Sequence, residues 1–111
     1  HCVSSLKPFA SVPVFLQIST ALSIIGDKWS PFLIARLVDS PRSFVVLQEL
    51  LPGISPRTLS ARLKKLEKES ILKRVLYTKR PVRYHYVLTK RGSELTKLLR
   101  AMAEWGEKCK K

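Results

Sequence analysis

One short stretch, residues 55–64, brings together a guanidinium, several hydroxyls and an ammonium group at helical spacing. Leu59, Leu63 and Leu66 follow one another at intervals of four and three residues, which places them on one face of a predicted helix. The opposite side then carries the polar side chains, a pattern typical of a helix that packs on a core and presents its outer face to a polyanion. The candidate binding residues of this stretch are Ser55, Pro56, Arg57, Thr58, Ser60, Ala61, Arg62 and Lys64.

These side chains suit the base edges and the backbone of double-stranded DNA. Arg57 stands at the N-terminal end of the predicted helix, where it can donate to O6 and N7 of a guanine in the major groove. The small side chain of Ala61 lets the helix backbone approach a groove floor, and the free N–H groups at the helix start favour a phosphate. Arg62 flanks this outer face, so we expect it either to bind phosphate or to brace the fold.

The positive charge of the chain is concentrated in a third of its length. The 111 residues carry 21 Lys and Arg against 8 Asp and Glu, which gives a net charge of +13. Residues 55–91 hold twelve of these bases and only two acids, a net +10, whereas residues 1–54 contribute about +1. A solvated surface needs no such asymmetry, so it indicates a nucleic acid partner rather than a membrane surface.

A second basic group is predicted at the tip of a β-hairpin. Residues 71–77 and 82–88 are rich in β-branched and aromatic residues, and a short segment separates them. Lys79, Arg80 and Arg83 lie at or beside the tip, and we expect them to bind phosphate. The tyrosines of the two strands are expected to pack across the sheet rather than to stack on bases.

The remaining elements form the frame for these two groups. Residues 1–12 are predicted to be an N-terminal arm, and residues 13–111 a single domain. Helices are predicted to begin at Pro13 and at four further points, each with its own capping residue: Ser30, Ser43, Ser55 and Thr89. A helix-turn-helix followed directly by a basic hairpin predicts a mostly helical α+β fold, the winged helix-turn-helix.

Two further predictions concern the first two helices: where the first one ends and which face of the second one is buried. Gly26 is expected to end the first helix, because glycine tolerates the left-handed conformation that follows a helix. The second helix is expected to turn Phe32, Leu33 and Leu37 inward, with Ile34 as a further candidate for the same face.

The first and last predicted helices are strongly apolar. Phe15, Ile18 and Leu22 fall at helical spacing, and further apolar residues widen that surface to more than one side. A helix that is apolar on more than one side needs cover on more than one side, so part of it is expected from a second subunit. The last helix is expected to bury a stripe made of Leu95, Leu98, Leu99, Met102 and Trp105.

Other classes of function find no support in the sequence. Two Cys and two His without a clustered motif predict no metal site and no cofactor. Gly-rich phosphate loops and the HExxH and GxSxG motifs are missing, so an enzyme is not expected. No apolar run approaches the roughly 18 to 20 residues that span a bilayer, so no membrane partner is expected. The use of cysteine favours a reducing, cytoplasmic location.

Four stretches of the sequence resemble signature motifs of the HxlR-type regulators. Residues 21–29 resemble the family's aLdlIGgKW, and residues 51–63 resemble the start of its recognition-helix motif, lpGISprmLsqRL. Residues 77–86 align with the wing motif YpevPprveY, and residues 103–106 match laeWg. The matches occur in the family's order and span nearly the whole chain.

The resemblance implies a dimeric winged-helix transcription regulator related to the MarR group, with the first and last helices at the dimer interface. On this chain the implied interface residues are Phe15, Ile18, Leu22, Leu98, Met102 and Trp105. A small-molecule effector is compatible with this class, because a cavity between subunits leaves no local motif. Some members resemble redox sensors with a cysteine just before the first signature. That position is Leu16 here, so sensing through the usual site is not expected.

Sequence-specific binding of double-stranded DNA by a homodimer is therefore the main hypothesis. One alternative is an RNA-binding or polymerase-associated winged-helix module, which competition between duplex DNA and structured RNA would reveal. Another is a protein-interaction domain whose basic face meets an acidic partner. A chain of that kind would fail to bind duplex DNA even at low salt, where electrostatic attraction is strongest.

Overall fold

Five helices and one antiparallel hairpin make up the part of the chain that the computed structural model describes, residues 12–109. In chain order the elements are α1 (Val12–Ile25), α2 (Ser30–Leu37), α3 (Phe44–Leu50), α4 (Pro56–Lys68), β1 (Leu72–Lys79), β2 (Val82–Leu88) and α5 (Lys90–Lys108). This order confirms the predicted α+β winged helix. Residues 1–11 of the predicted arm lie outside the described residues, and Val12 belongs to α1.

Three of the predicted helix caps are confirmed. The hydroxyl oxygens of Ser43, Ser55 and Thr89 each accept a hydrogen bond from the backbone N–H three residues further on, at 3.2, 3.1 and 3.0 Å. Each bond satisfies one of the N–H groups that a helix start leaves without a partner. The starts of α3, α4 and α5 are therefore specified by a single side chain each.

The predicted cap of α2 is wrong. Ser30 is the first residue of that helix rather than its cap. The carboxylate of Asp27 accepts hydrogen bonds from the backbone N–H groups of Trp29 and Ser30, each at 2.8 Å, and from the Ser30 hydroxyl at 2.6 Å. An ionised carboxylate accepts more strongly than a hydroxyl, so Asp27 takes the capping role and Ser30 supports it.

The inner face of α2 also differs from the prediction at one position. Leu33 and Leu37 are buried as expected, and so is Ile34, the further candidate for this face, but Phe32 is 55% exposed. At 100° per residue, Ile34 lies about 60° from Leu37 around the helix, whereas Phe32 lies about 140° away. The core therefore takes the residue that is nearer to the centre of the face.

Two glycines shape the turns that flank these helices. Gly53, in the turn between α3 and α4, has a φ of +94°, a backbone conformation that residues with a Cβ rarely adopt. Gly26 does not adopt the left-handed conformation that was expected of it. It is required for another reason, because an added Cβ there would collide with the carbonyl oxygen of Leu22.

The hydrophobic core gathers residues from α1 to β1, and α2 and α4 contribute three buried residues each. Partly buried side chains of Trp29, Phe44, Tyr86, Leu88, Leu95 and Leu99 pack against it. The buried core residues are Ile24, Ile25, Leu33, Ile34, Leu37, Leu47, Leu51, Ile54, Leu59, Leu63, Leu66, Ile71 and Leu72. A continuous core of this kind fixes α4 from behind.

The hairpin is longer on its first strand than the sequence predicted. β1 pairs antiparallel with β2 from Leu72↔Leu88 to Lys79↔Val82, so Thr78 and Lys79 belong to the strand and not to the tip. An irregularity in the register falls between Leu76 and Thr78. A bridge between Arg42 and Tyr86 joins the segment before α3 to β2 and anchors the hairpin to the helices.

Most of α1 and the second half of α5 lie outside this core. In α1 only Ile24 and Ile25 are buried, and every described residue of α5 from Arg100 onward is exposed. The stripe predicted for α5 is thus only half covered: Leu95 and Leu99 pack on the core, while Leu98, Met102 and Trp105 are exposed on this chain. Among the described helices, none combines the length and the apolar character needed to cross a membrane.

Candidate nucleic-acid interface

The core holds α4 by three leucines on one face. Leu59, Leu63 and Leu66 are at most 1% exposed, as the leucine spacing predicted. At about 25 cal/mol per Å2 of apolar surface, each buried leucine stabilises this orientation by roughly 1.5 to 3 kcal/mol. The rotation of α4 about its axis is therefore fixed, and so is the set of side chains that it presents outward.

The outward side of α4 combines exposed and half-buried polar residues. Arg57, Ala61 and Lys64 are exposed, and Thr58 and Ser60 are half-buried. Ser55 and Pro56, at the helix start, are exposed as well, and the Ser55 hydroxyl donates to the Thr58 hydroxyl at 3.0 Å. This geometry can bring a guanidinium and an ammonium group to a groove while Ala61 allows a close approach.

Arg62 faces in a different direction from the other candidates on α4. Its Nε lies 3.3 Å from Oδ1 of Asp27, and Nζ of Lys65 lies 3.5 Å from Oδ2 of the same carboxylate. The Arg62 Nε is buried and makes no directed hydrogen bond, so the contact is an ion pair only. Of the two roles expected for Arg62, this contact favours the bracing one.

The carboxylate of Asp27 is strongly biased toward its ionised form. Burial by itself raises the pKa of Asp27, but hydrogen bonds from Ser30 and Trp29 and the charge of Arg62 outweigh it and lower the pKa from 3.8 to about 2. The role of Asp27 was not predicted from the sequence, although an acid shortly before a Ser-Pro helix start is a usable signal for a cap.

The basic residues of the wing extend into solvent. Lys79 ends β1, Arg80 lies in the turn, and Arg83 lies in β2, and all three are exposed. The Thr78 hydroxyl donates to the carbonyl oxygen of Pro81 and closes the tip. Within residues 12–109, no hydrogen bond or ion pair joins these three residues to the outer face of α4.

The body of the wing is tied to α4 and stiffened by aromatic contacts. Arg74 pairs with Glu67 of α4 at 3.1 Å and lies 5.0 Å from the ring centre of Tyr84. The rings of Tyr77 and His85 stack with centroids 4.1 Å apart, which confirms the expectation that Tyr77 packs across the strands. The Glu67–Arg74 contact was not predicted from the sequence.

Tyr86 connects the hairpin to the core. Its ring packs against the core cluster, and burial, reinforced by the nearby charge of Glu67 and opposed by Arg74, raises the pKa of its hydroxyl. The tyrosine therefore stays neutral and contributes apolar surface at the base of the wing.

Fold and site together define a winged helix-turn-helix protein: a capped helix with a free polar face, preceded by a short helix and a tight turn, and followed by a basic hairpin. The model of the HxlR-like helix-turn-helix family matches residues 24–111, and the chain belongs to that family. The resemblance found in the sequence motifs is thereby confirmed.

Curated relatives carry the same assignment. The regulator YdeP of Bacillus subtilis is 36% identical over 93 residues, which cover 84% of this chain and 73% of YdeP. YodB of the same organism is 33% identical over 91 residues, 82% of this chain and 81% of YodB. Both are named HTH-type transcriptional regulators. The chain is therefore a helix-turn-helix transcriptional regulator, and not an enzyme, as the sequence predicted.

Solved structures agree on the fold. The redox regulator HypR in its reduced form superposes with a TM-score of 0.79 at 32% identity, covering 83% of this chain and 91% of HypR. A MarR-family regulator from Enterococcus faecalis V583 also gives a TM-score of 0.79, at 30% identity and 93% coverage of each chain. The winged-helix architecture and the relation to the MarR group are confirmed.

Proposed function

We propose that this regulator binds double-stranded DNA sequence-specifically as a homodimer, with α4 in the major groove and the wing on the backbone or in the minor groove. The observation that carries the proposal is the orientation of α4: its leucines are buried, and Arg57, Ala61 and Lys64 are exposed beside a capped helix start. A helix held in this way presents its N-terminal half to a groove without rearrangement.

Within α4 the candidate residues divide into three roles. Arg57 reads a base, because its position at the helix start suits two hydrogen bonds to one guanine. Ser55, Pro56 and the helix start bind a phosphate, and Thr58, Ser60, Ala61 and Lys64 complete the surface that meets the groove. Arg62 acts by bracing α4 through Asp27, in line with its ion pair at 3.3 Å.

The wing supplies contacts that do not depend on sequence. Lys79, Arg80 and Arg83 are exposed and carry no ion pair in the described part of the chain, so each is available to a phosphate. Neutralising a phosphate releases counterions, which makes this part of binding sensitive to salt. The wing thus adds affinity for any duplex, and α4 adds discrimination between DNA sequences.

Dimerisation would cover the apolar surface that one chain leaves open. Phe15, Leu22 and Trp105 are 57%, 57% and 68% exposed, and Ile18, Leu98 and Met102 share their two helices. Exposed apolar surface of this extent marks an interaction site. A second copy of the chain is the partner that would also place two α4 helices on one duplex.

Competition binding tests the proposal against RNA and protein partners. A labelled duplex selected from a random pool by the protein is challenged with unlabelled duplex DNA and, separately, with structured RNA. Stronger competition by the selected duplex than by random duplex or RNA is the expected result. Preferential competition by RNA supports an RNA-binding module, and the lack of any duplex binding at low salt supports an acidic protein partner. A cytoplasmic location and a small-molecule effector stay predictions.

A further inference from the structure

The connector between α1 and α2, residues 26–29, contacts the helix proposed to read DNA. Asp27 lies in this connector, and its carboxylate caps α2 through Trp29 and Ser30. The same carboxylate is 3.3 Å from Nε of Arg62 and 3.5 Å from Nζ of Lys65. One side chain of the connector therefore contacts both the start of α2 and α4.

A second contact from the same connector reaches the turn in front of α4. The ring of Trp29 lies 3.9 Å from the position that a Cβ on Gly53 would occupy. Gly53 belongs to the turn that precedes α4, whereas Arg62 lies at the middle of the helix and Lys65 three residues beyond it. The connector thus contacts α4 itself through Asp27 and the turn before it through Trp29, so it restrains the helix at two separate places.

The ion pairs also decide where two positive charges of α4 are held. The side chains of Arg62 and Lys65 are 34% and 36% exposed, so both remain close enough to solvent to reach a phosphate if they were released. Asp27 is only 19% exposed and holds both of them. Its low pKa keeps the carboxylate charged throughout the physiological range.

We propose that Asp27 is a positioning residue for DNA recognition, which holds α4 against the α1–α2 connector and the start of α2 and keeps Arg62 and Lys65 from binding phosphate. This inference rests on the proposed function of α4, and it gives a physical reason why α4 would bind the cognate sequence more tightly than other sequences. Holding α4 at a fixed angle favours the cognate sequence, since base contacts need accurate placement. Withholding two cations lowers the affinity for every other sequence.

Asp27→Asn tests this directly, because asparagine keeps an acceptor for the α2 cap and loses the charge. We expect the ratio of cognate to random-duplex affinity to fall about two- to fivefold, the range that a partly exposed ion pair supports. We expect the affinity for random duplex to rise. The slope of log K against log salt should steepen by up to about 1.8, or about 0.9 for each released cation.

Asp39→Asn is the matched control, since Asp39 is exposed, lies after α2 and makes no ion pair within the described residues. It changes the net charge equally and should leave both the ratio and the slope as in the unaltered protein. If Asp27→Asn behaves like Asp39→Asn, Asp27 only caps α2 and the inference is wrong. A parallel loss of cognate and random binding would mean damage to the fold, and it also overturns the inference.

The double variant Arg62→Gln with Lys65→Gln keeps the cap of α2 intact and so guards against a folding defect. It should lower the cognate-to-random ratio without raising random binding, and adding Asp27→Asn to it should cause no further change. A shallower salt slope in the double variant would show that both cations already bind phosphate, contrary to the inference. If the unaltered protein binds no duplex at low salt, the proposed function fails instead.

Discussion

The side chains of α4 differ in their surroundings: some pack on the core, some are exposed, and Arg62 pairs with Asp27. Leu59 and Leu63 were predicted from their spacing to be buried, and they are, so the exposure of Arg57 followed from the sequence. The contact between Asp27 and Arg62 did not follow, since the two residues are more than thirty positions apart. Local periodicity predicts faces of helices, but it carries no information about which distant charges meet.

Arg57→Ala should weaken binding to the cognate duplex by about 1 to 3 kcal/mol and relax the preference at one base pair of each half-site. The reason is the loss of two hydrogen bonds to a guanine edge. Titrations on cognate and random duplexes measure both effects. Arg100→Ala, at an exposed arginine of α5, serves as the control of equal charge. Equal losses on both duplexes would contradict base reading by Arg57.

The pKa of Asp27 predicts a stability difference that depends on pH. A carboxyl whose pKa is lower in the folded chain stabilises the fold above its unfolded pKa, and this contribution is lost as the pH falls through the folded value. For Asp27 the window runs from 3.8 down to about 2. Above it, Asp27→Asn should lower the free energy of unfolding by about 1 kcal/mol, allowing for solvent screening.

Denaturant titrations of both proteins between pH 7 and pH 2 check this window. The difference between the unaltered protein and Asp27→Asn should stay constant down to about pH 4 and then shrink. A difference that stays the same at every pH would show that the charge of Asp27 contributes nothing to stability.

At the level of elements, the starts of three helices could be predicted from the sequence because each has a local capping residue. Ser43, Ser55 and Thr89 each accept from a backbone N–H three residues on, a local contact that the sequence displays directly. The cap of α2 was assigned to the wrong residue because Ser30-Pro31 matches the Ser55-Pro56 start of α4 in sequence. The carboxylate of Asp27 is the stronger acceptor and takes that role. The extent of β1 was underestimated because pairing with β2, and not composition, decides where a strand ends.

The wing as an element should contribute affinity without discrimination. Lys79→Ala is expected to weaken binding to all duplexes alike and to make the salt slope shallower by about one, since one phosphate contact is lost. Binding titrations from low to moderate salt on cognate and random duplexes give both quantities. Lys97→Ala, at an exposed lysine of α5, is the matched control and should leave the slope unchanged. An unchanged slope for Lys79→Ala would exclude it as a phosphate contact.

For the whole molecule, the apolar side chains of α1 and α5 are largely exposed on a single chain. The sequence predicted a buried stripe along α5, and the structure covers only its first half, with Leu95 and Leu99 on the core. No pattern in one sequence distinguishes burial within a chain from burial between chains, because the hydrophobic effect is the same in both. Met102 and Trp105 are exposed on a single chain, which excludes their burial within it, and their burial between two chains stays a prediction.

Trp105→Glu should be monomeric under conditions in which the unaltered protein forms the proposed dimer. It should also reduce DNA affinity about 100-fold or more, since the second half-site would no longer be bound from the same particle. Sedimentation or light scattering gives the mass, and titration gives the affinity. Ser93→Glu places the same charge on an exposed position of α5 away from the apolar residues, and it should stay dimeric. A dimeric Trp105→Glu protein would exclude this residue from the interface.

The orientation of α4 is tested most directly by selecting duplexes from a random DNA pool, in parallel, with the unaltered protein and with Arg57→Ala. For the unaltered protein, the bound duplexes should share a two-fold symmetric site with half-sites about one helical turn, or a multiple of it, apart. Arg57→Ala should enrich the same site with one guanine in each half relaxed. Enrichment of no symmetric site, or identical base preferences for both proteins, would contradict a reading role for the exposed face of α4.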